Sequence, residues 1–160
     1  MEGAPQPPSP NETETALPPE LRLMPWRDEL VEAVGFGPRS MYVEMCWLPI
    51  MGPTTTWLYR RLGSWAEFNT EGVTIDTVDL STSMGLGESL ARNAGIARAI
   101  GRLVRFEAAR WQADELHVRT ALAPLPERSA KKLRGSARRL HEEMLRRPPN
   151  RITERNGAAR

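Results

Sequence analysis

A regular spacing of apolar residues predicts a helix in the first half of the chain. Residues 54–62 carry this pattern, with Pro53 suited to the first turn and Gly63 as the expected end. Three residues would form its apolar face, namely Trp57, Leu58 and Leu62. The apolar run before it, residues 41–51, fits either a buried strand or the start of a helix, because Pro49 excludes an undisturbed helix centre.

Two more helices are predicted further along the chain. Asp76 or Thr77 is suited to cap a helix of about two turns, and Gly85 is suited to end it. Asn93 is expected to cap a second helix over residues 93–105. The buried stripe of this second helix would consist of Ile96, Ile100, Leu103 and Val104.

The opposite side of the second helix is basic. Arg98, Arg102 and Arg105 recur at intervals of four and three residues, so they line one side of the helix. Gly101 lies among them and costs about 1 kcal/mol relative to Ala in a helix interior, which indicates a close approach to another helix.

The pattern then changes to that of a β-hairpin followed by a last helix. Residues 106–111 and 115–120 are two segments of β-forming residues, joined at Gln112–Asp114. The last helix is expected from Pro126 to Arg147, and its apolar seam would consist of Leu133, Ala137, Leu140 and Met144. This seam packs either on its own domain or on a second copy, as a homodimer.

Both ends of the chain differ from the rest in composition. Seven of the first twenty-five residues are prolines and few are large and apolar, so residues 1–23 are expected to form a disordered Pro-rich tail. Residues 24–39 would contain a short helix, between Trp26 and Val34, and a linker. Residues 148–160 are expected to form a disordered basic tail, able to add non-specific affinity for nucleic acid.

The net charge of +2 hides an asymmetry between the two parts of the chain. Residues 1–90 contain five arginines and thirteen acids, a balance of −8, whereas residues 91–160 contain seventeen basic residues and seven acids, a balance of +10. A part this basic favours a polyanionic partner such as nucleic acid, because local potential governs steering. A solvated basic surface without a partner is the alternative.

Other chemistry finds little support in the sequence. One cysteine and two histidines cannot supply a Cys/His zinc cluster, and we expect no metal and no cofactor. Cys46 is expected to be buried and inert, and His117 and His141 to be ordinary surface residues. No catalytic grouping can be assembled, so we expect no enzyme. The apolar stretches are too short to span a membrane and the N-terminus lacks a secretory pattern, so a cytoplasmic protein is expected.

From Leu48 to Met144, the order helix, short helix ending at glycine, basic helix, hairpin and helix resembles the winged helix-turn-helix family of DNA-binding domains. The residues that carry the resemblance are VDLSTSMGLG, NAGIARAIGRLVRF and FEAARWQADELHVRT. The chain also resembles a group of high-GC bacterial proteins in which a phrase such as WLYRRLGSWAEF precedes this motif. The fold class expected is therefore mainly α with a small β-hairpin, and residues 40–147 would form the winged-helix domain.

The resemblance implies that the helix over residues 93–105 is a recognition helix in the major groove, with Gln112–Asp114 at the tip of the wing. Arginine pairs with guanine edges and also clamps phosphate. We therefore expect Arg98 and Arg102 in the groove. Four more contacts are expected: Arg92 and Asn93 on bases or phosphate, and Arg105 and Arg110 on the backbone.

These features predict sequence-specific binding of double-stranded DNA, in transcription regulation or in plasmid or phage maintenance. The alternative is a winged-helix protein–protein interaction module that does not bind DNA. The two functions require different surroundings for the arginines. Neutralisation of the arginines by Asp76, Asp79 and Glu88 would favour the protein-binding module.

Overall fold

The computed structural model describes residues 16–147, in which seven α-helices and one π-helical segment accompany a four-stranded sheet. The first elements are β1 (Glu20–Trp26), α1 (Glu29–Val34), a π-helical segment (Val43–Trp47), α2 (Leu48–Met51), α3 (Pro53–Phe68), β2 (Val73–Asp76) and α4 (Thr77–Ser83). The remaining elements are α5 (Gly95–Arg105), β3 (Ala109–Gln112), β4 (Glu115–Arg119), α6 (Glu127–Ala130) and α7 (Gly135–Arg146). The fold is therefore mixed α/β and about 51% helical, and its sheet contains two strands, β1 and β2, in addition to the expected hairpin.

The sheet has the strand order β2–β1–β4–β3. β1 pairs with β2 in antiparallel fashion and with β4 in parallel fashion, so the N-terminal strand lies between β2 and the hairpin. β3 and β4 form the predicted hairpin, with Gln112 opposite Glu115. One face of the sheet is apolar, because Leu21, Leu23, Leu116 and Val118 are fully buried on it.

The position of β1 corrects the expected division of the chain. Residues 20–23 were expected in a disordered tail, but they belong to an inner strand, since the alternating Leu21 and Leu23 reach the core and offset the cost of ordering the backbone. The helix expected between Trp26 and Val34 begins only at Glu29, because Asp28 accepts the amide protons of the first turn. Residues 1–15 and the basic tail of residues 148–160 lie outside the described residues.

The longest described helix, α3, packs against β1, β4 and α5. It begins at Pro53 as expected but continues past Gly63 to Phe68. Gly63 lies inside the helix and is closely packed, since a Cβ there would lie 2.7 Å from the ring of Pro38. The expected apolar face is confirmed for Leu58 and Leu62, which are fully buried.

Trp57 departs from that expected face, because 54% of its surface is exposed. It precedes Leu58 by one residue and therefore points about 100° away from it around the helix. Trp57 is thus an exposed aromatic residue on α3 and not part of the core.

The segment that was predicted to form one last helix, from Pro126 to Arg147, forms two helices, α6 and α7. The break covers residues 131–134, and α7 begins at Gly135, which has a φ of 55°, a left-handed conformation that favours glycine. The expected seam of the last helix packs on the chain's own core, through buried Leu133 and through Ala137, Leu140 and Met144. A homodimer through this seam would therefore have to displace contacts that the chain already makes.

α7 packs against the π-helical segment through polar contacts as well as apolar ones. His141 is only 7% exposed, so the expectation of a surface histidine is wrong. Its Nδ1 lies 2.7 Å from Oη of buried Tyr42, and that Oη also accepts the amide proton of Leu125 at 2.9 Å. Cys46 is buried as expected; its Sγ lies 3.4 Å from the carbonyl oxygen of Ala137, and burial raises the pKa of the thiol to about 11.

Candidate nucleic-acid interface

α4 precedes the basic helix α5 as expected. Asp76 caps α4 by accepting the amide proton of Asp79, and Gly85 follows its end with a φ of 73°. α5, however, is capped by Ala94 and not by Asn93, and no side chain bonds to the amides of its first turn. Its first turn therefore carries amide donors, and no acidic residue lies in that turn.

The sides of α5 follow the helical period. Ile96, Ala99, Ile100 and Leu103 are buried against α3 and the sheet. Residues on the opposite side are therefore directed outwards, and three of them are exposed: Arg98, Gly101 and Arg105. We call these three residues the α5 crest.

The prediction that Gly101 marks a close approach to another helix is wrong. Gly101 is exposed, and a Cβ placed there would meet no atom within 4 Å. The glycine instead leaves a low point on the α5 crest, between two long cationic side chains.

No carboxylate among residues 16–147 forms an ion pair with any arginine predicted to contact DNA, namely Arg92, Arg98, Arg102, Arg105 and Arg110. Asp76 accepts a backbone proton at the start of α4. The positive charge of the α5 crest is therefore not neutralised by the described side chains.

Arg102 was predicted to enter the major groove of DNA together with Arg98, but it does not lie on the α5 crest. It is half-buried on the flank of α5, where its Nε donates to the carbonyl oxygen of Met51 at 3.0 Å. Its guanidinium carbon also lies 5.6 Å from the ring centre of Phe106. Because these contacts hold it against the body of the protein, Arg102 is not a free partner of Arg98.

A surface hollow of about 340 Å³ lies between α5 and the start of α3. Arg98 and Arg102 line it from α5, and Thr54 and Thr55 line it from α3. No side chain caps the start of α3, whose first turn carries no acidic residue. Guanidinium groups and the hydroxyl of exposed Thr54 around one hollow are groups that bind phosphate.

Arg92 and Asn93 are exposed in the loop that leads into α5. They precede the first turn of the helix, so they lie at the same end as the amide donors of that turn. The structure thus brings four predicted residues to the exposed crest or leading end of α5: Arg92, Asn93, Arg98 and Arg105.

Arg110 is separated from this group. It follows buried Ala109 on β3 and therefore points to the other face of the sheet, away from α5. There its guanidinium carbon lies 4.2 Å from the ring centre of Trp26, and that of Arg119 lies 3.7 Å from the same ring. Arg110 therefore belongs to a stack on the outer sheet face.

Two further residues near the basic helix were missed from the sequence. Thr54 reaches the hollow although it is more than forty residues away from Arg98 in the chain, and no local signal predicts this contact. Trp111 lies opposite Leu116 on the sheet face that α5 covers, and 41% of its surface is exposed. The alternation of side chains along β3 could have indicated on which sheet face Trp111 lies, but not that its side chain is exposed.

No family model matches the chain, and no curated protein and no solved structure was found to be similar to it. Within residues 16–147, no helix has both the length and the apolar character that crossing a membrane requires. In the same range, no three His, Cys, Asp or Glu residues are grouped so that they could hold a metal ion.

Proposed function

We propose that this chain is a winged helix-turn-helix protein that binds double-stranded DNA through α5. The single observation that carries the proposal is the α5 crest, on which two exposed arginines flank an exposed glycine and form no ion pair with a described carboxylate. Regulation of transcription, or maintenance of a plasmid or phage, would be its role.

The order of elements supports the proposal. From Pro53 to Arg119, the chain forms a helix, a strand, two helices and a hairpin. The second of the two helices is the basic one, and it packs against both the first helix and the hairpin. β1, which is inserted in the sheet between β2 and β4, is an addition to the order that the sequence predicted.

The surface around α5 supports contact with a duplex. Arg98 and Arg105 are directed outwards, and Gly101 between them leaves room for another backbone to approach. The hollow beside Arg98 is also lined by exposed Thr54, whose hydroxyl can donate to a phosphate of that duplex. In this arrangement the arginines would contact base edges or phosphates, and the hollow would fix the position of the backbone.

The alternative, a module that binds another protein, depends on neutralisation of these arginines. Asp76, Asp79 and Glu88 form no ion pair with a described arginine, and this favours the DNA-binding proposal.

The proposal is tested by measuring fluorescence anisotropy of a labelled random-sequence duplex at about 50 and about 200 mM salt. The double variant Arg98→Ala/Arg105→Ala should bind at least about 30-fold more weakly, because each lost contact costs about 1–3 kcal/mol and every 1.4 kcal/mol corresponds to about tenfold. The dependence of affinity on salt should also decrease, by about one unit of slope for each phosphate contact removed.

A matched control removes the same charge elsewhere. Arg128 and Arg139 are exposed on α6 and α7 and have no ion pair with a described residue. Their double alanine variant should bind within about threefold of the original chain. Equal losses in both double variants would show that total charge matters and would overturn the role of α5. Absence of binding even at low salt would favour the protein-binding alternative.

A further inference from the structure

A second basic surface lies on α3, and it differs from the α5 crest because it carries an exposed aromatic ring, that of Trp57. It is a groove of about 480 Å³ between α3 and the end of α4. Its walls include three arginines and two tryptophans: Arg39, Arg60, Arg61, Trp57 and Trp65. Two serines and Met84 complete the lining, which has no acidic side chain among the described residues.

Two of the three arginines carry uncompensated charge. Arg60 is paired, because its Nη1 lies 3.3 Å from Oε2 of Glu44. Arg61 donates from Nη1 to Oγ of Ser83 at 2.7 Å, and Arg39 lies over the ring of Phe68 at 5.2 Å. Neither Arg39 nor Arg61 forms an ion pair with any carboxylate of residues 16–147.

Trp57 gives the groove a flat aromatic surface. More than half of its side chain is exposed, and the Arg60 guanidinium carbon lies 4.9 Å from its ring centre. The helical period places Trp57, Arg60, Arg61 and Ser64 on neighbouring positions of one side of α3. An exposed indole beside guanidinium groups is a platform on which a planar ring can stack.

We propose that this groove binds a small planar aromatic molecule that carries a phosphate monoester, the chemistry of a free mononucleotide. A phosphate monoester has a charge of about −1.5 to −2 at neutral pH, which matches the two unpaired guanidinium groups. A carboxylate would match only one of them. The groove also lies within the range of about 300–1,000 Å³ that ligand pockets of this kind occupy.

The probe for this proposal is adenosine monophosphate, added to the full-length chain labelled with ¹⁵N. The indole N–H signals of the five tryptophans report on the groove, and Trp57→Phe assigns the Trp57 signal. We expect the Trp57 signal to shift with saturation below about 1 mM of the monophosphate. Adenosine, which lacks the phosphate, and inorganic phosphate, which lacks the ring, should each bind about tenfold more weakly or worse.

Variants distinguish a site from general attraction to a basic surface. Arg61→Gln and Arg39→Gln should each reduce the affinity for the monophosphate by about tenfold, with unchanged far-ultraviolet circular dichroism. Arg139→Gln, on exposed α7, should leave the affinity within about twofold. The proposal is overturned if both groove variants bind as the original chain does, if all tryptophan signals shift together, or if no signal shifts. Since no DNA is present, these results do not depend on the proposed role of α5.

Discussion

Two helices of the basic C-terminal part, α5 and α7, carry the same number of arginines but differ in how these arginines are compensated. Both α5 and α7 have three arginines within their bounds. α7 also carries Glu142, whose carboxylate lies 3.1 Å from Nε of Arg138 and 3.9 Å from Nη2 of Arg146. α5 carries no acidic residue at all. The comparison teaches that the spacing of charges indicates better than the net charge of a segment which arginines are compensated. Opposite charges four residues apart on a helix neutralise one another.

The two helices are also held in different ways. α5 is fixed by an apolar side made of four buried residues. α7 has a single buried residue, His141, and its other inward residues are only partly covered. Polar contacts therefore contribute more to the position of α7 than to that of α5.

The largest expected effect concerns the anchoring of α7. Tyr42→Phe keeps the ring that stacks on Phe36 but removes the hydroxyl shared by His141 and Leu125. Two buried polar groups lose this partner, so the free energy of unfolding should fall by about 1–3 kcal/mol in urea denaturation. Arg105→Ala on the α5 crest serves as the comparison and should change it by less than about 0.5 kcal/mol. If both variants lost the same stability, the contrast between the two helices would not hold.

The burial of His141 also makes stability depend on pH. Burial lowers the pKa of His141 below its ordinary value near 6.5, and the nearby Glu142 acts in the opposite direction. The unfolded chain therefore binds the proton at a higher pH than the folded chain, and stability should fall as the pH drops below about 6.5. His141→Asn removes this titration, so its free energy of unfolding should vary less between about pH 7.5 and pH 5.5.

A smaller effect, of opposite sign, is expected on the α5 crest. Gly101→Ala should raise the free energy of unfolding by about 0.5–1 kcal/mol, because the new methyl group meets no atom and the unfolded chain loses freedom. The affinity for duplex DNA should fall in the same variant if a DNA backbone approaches the glycine. Chemical denaturation and anisotropy measure the two quantities on one preparation. A gain in both stability and affinity would contradict the proposed role of the glycine.

The sequence predicted the local elements of the fold better than their arrangement. The helix after Asp76, the helix that contains Arg98 and the hairpin up to Arg119 follow from capping and periodicity, which act between neighbours. β1 was missed because Pro18 and Pro19 precede it and Pro25 lies within it, a composition that resembles a tail, and only pairing with two distant strands makes it regular. The helix through Gly63 was missed for a similar reason, since its packing partner Pro38 lies far away in the sequence.

Only the part of the candidate site that lies within one helix was predictable from the sequence. The interval between Arg98 and Arg105 follows from the helical period, and both are exposed as expected. The bond from Arg102 to Met51 and the stacking of Arg110 on Trp26 are tertiary contacts. Nothing in the spacing of the residues indicates them, so two of the six predicted residues lie away from the α5 crest and the leading end of α5 or are held internally.

The smallest expected effect addresses the comparison of the two helices most directly. Glu142→Gln removes the carboxylate that pairs with Arg138 and Arg146, so all three arginines of α7 are then without a described ion pair, like those of α5. Loss of these exposed pairs should lower the free energy of unfolding by only about 0.3–1 kcal/mol. If affinity for DNA depends on the geometry of α5, it should stay within about twofold of the original value although the net charge rises by one. The opposite result is that the affinity for DNA rises by the same factor by which it falls when one arginine is removed from the α5 crest. That result would mean that any unpaired cationic side chain contributes equally to binding. The comparison between α5 and α7 would then reduce to a difference in charge alone, without a role for the crest.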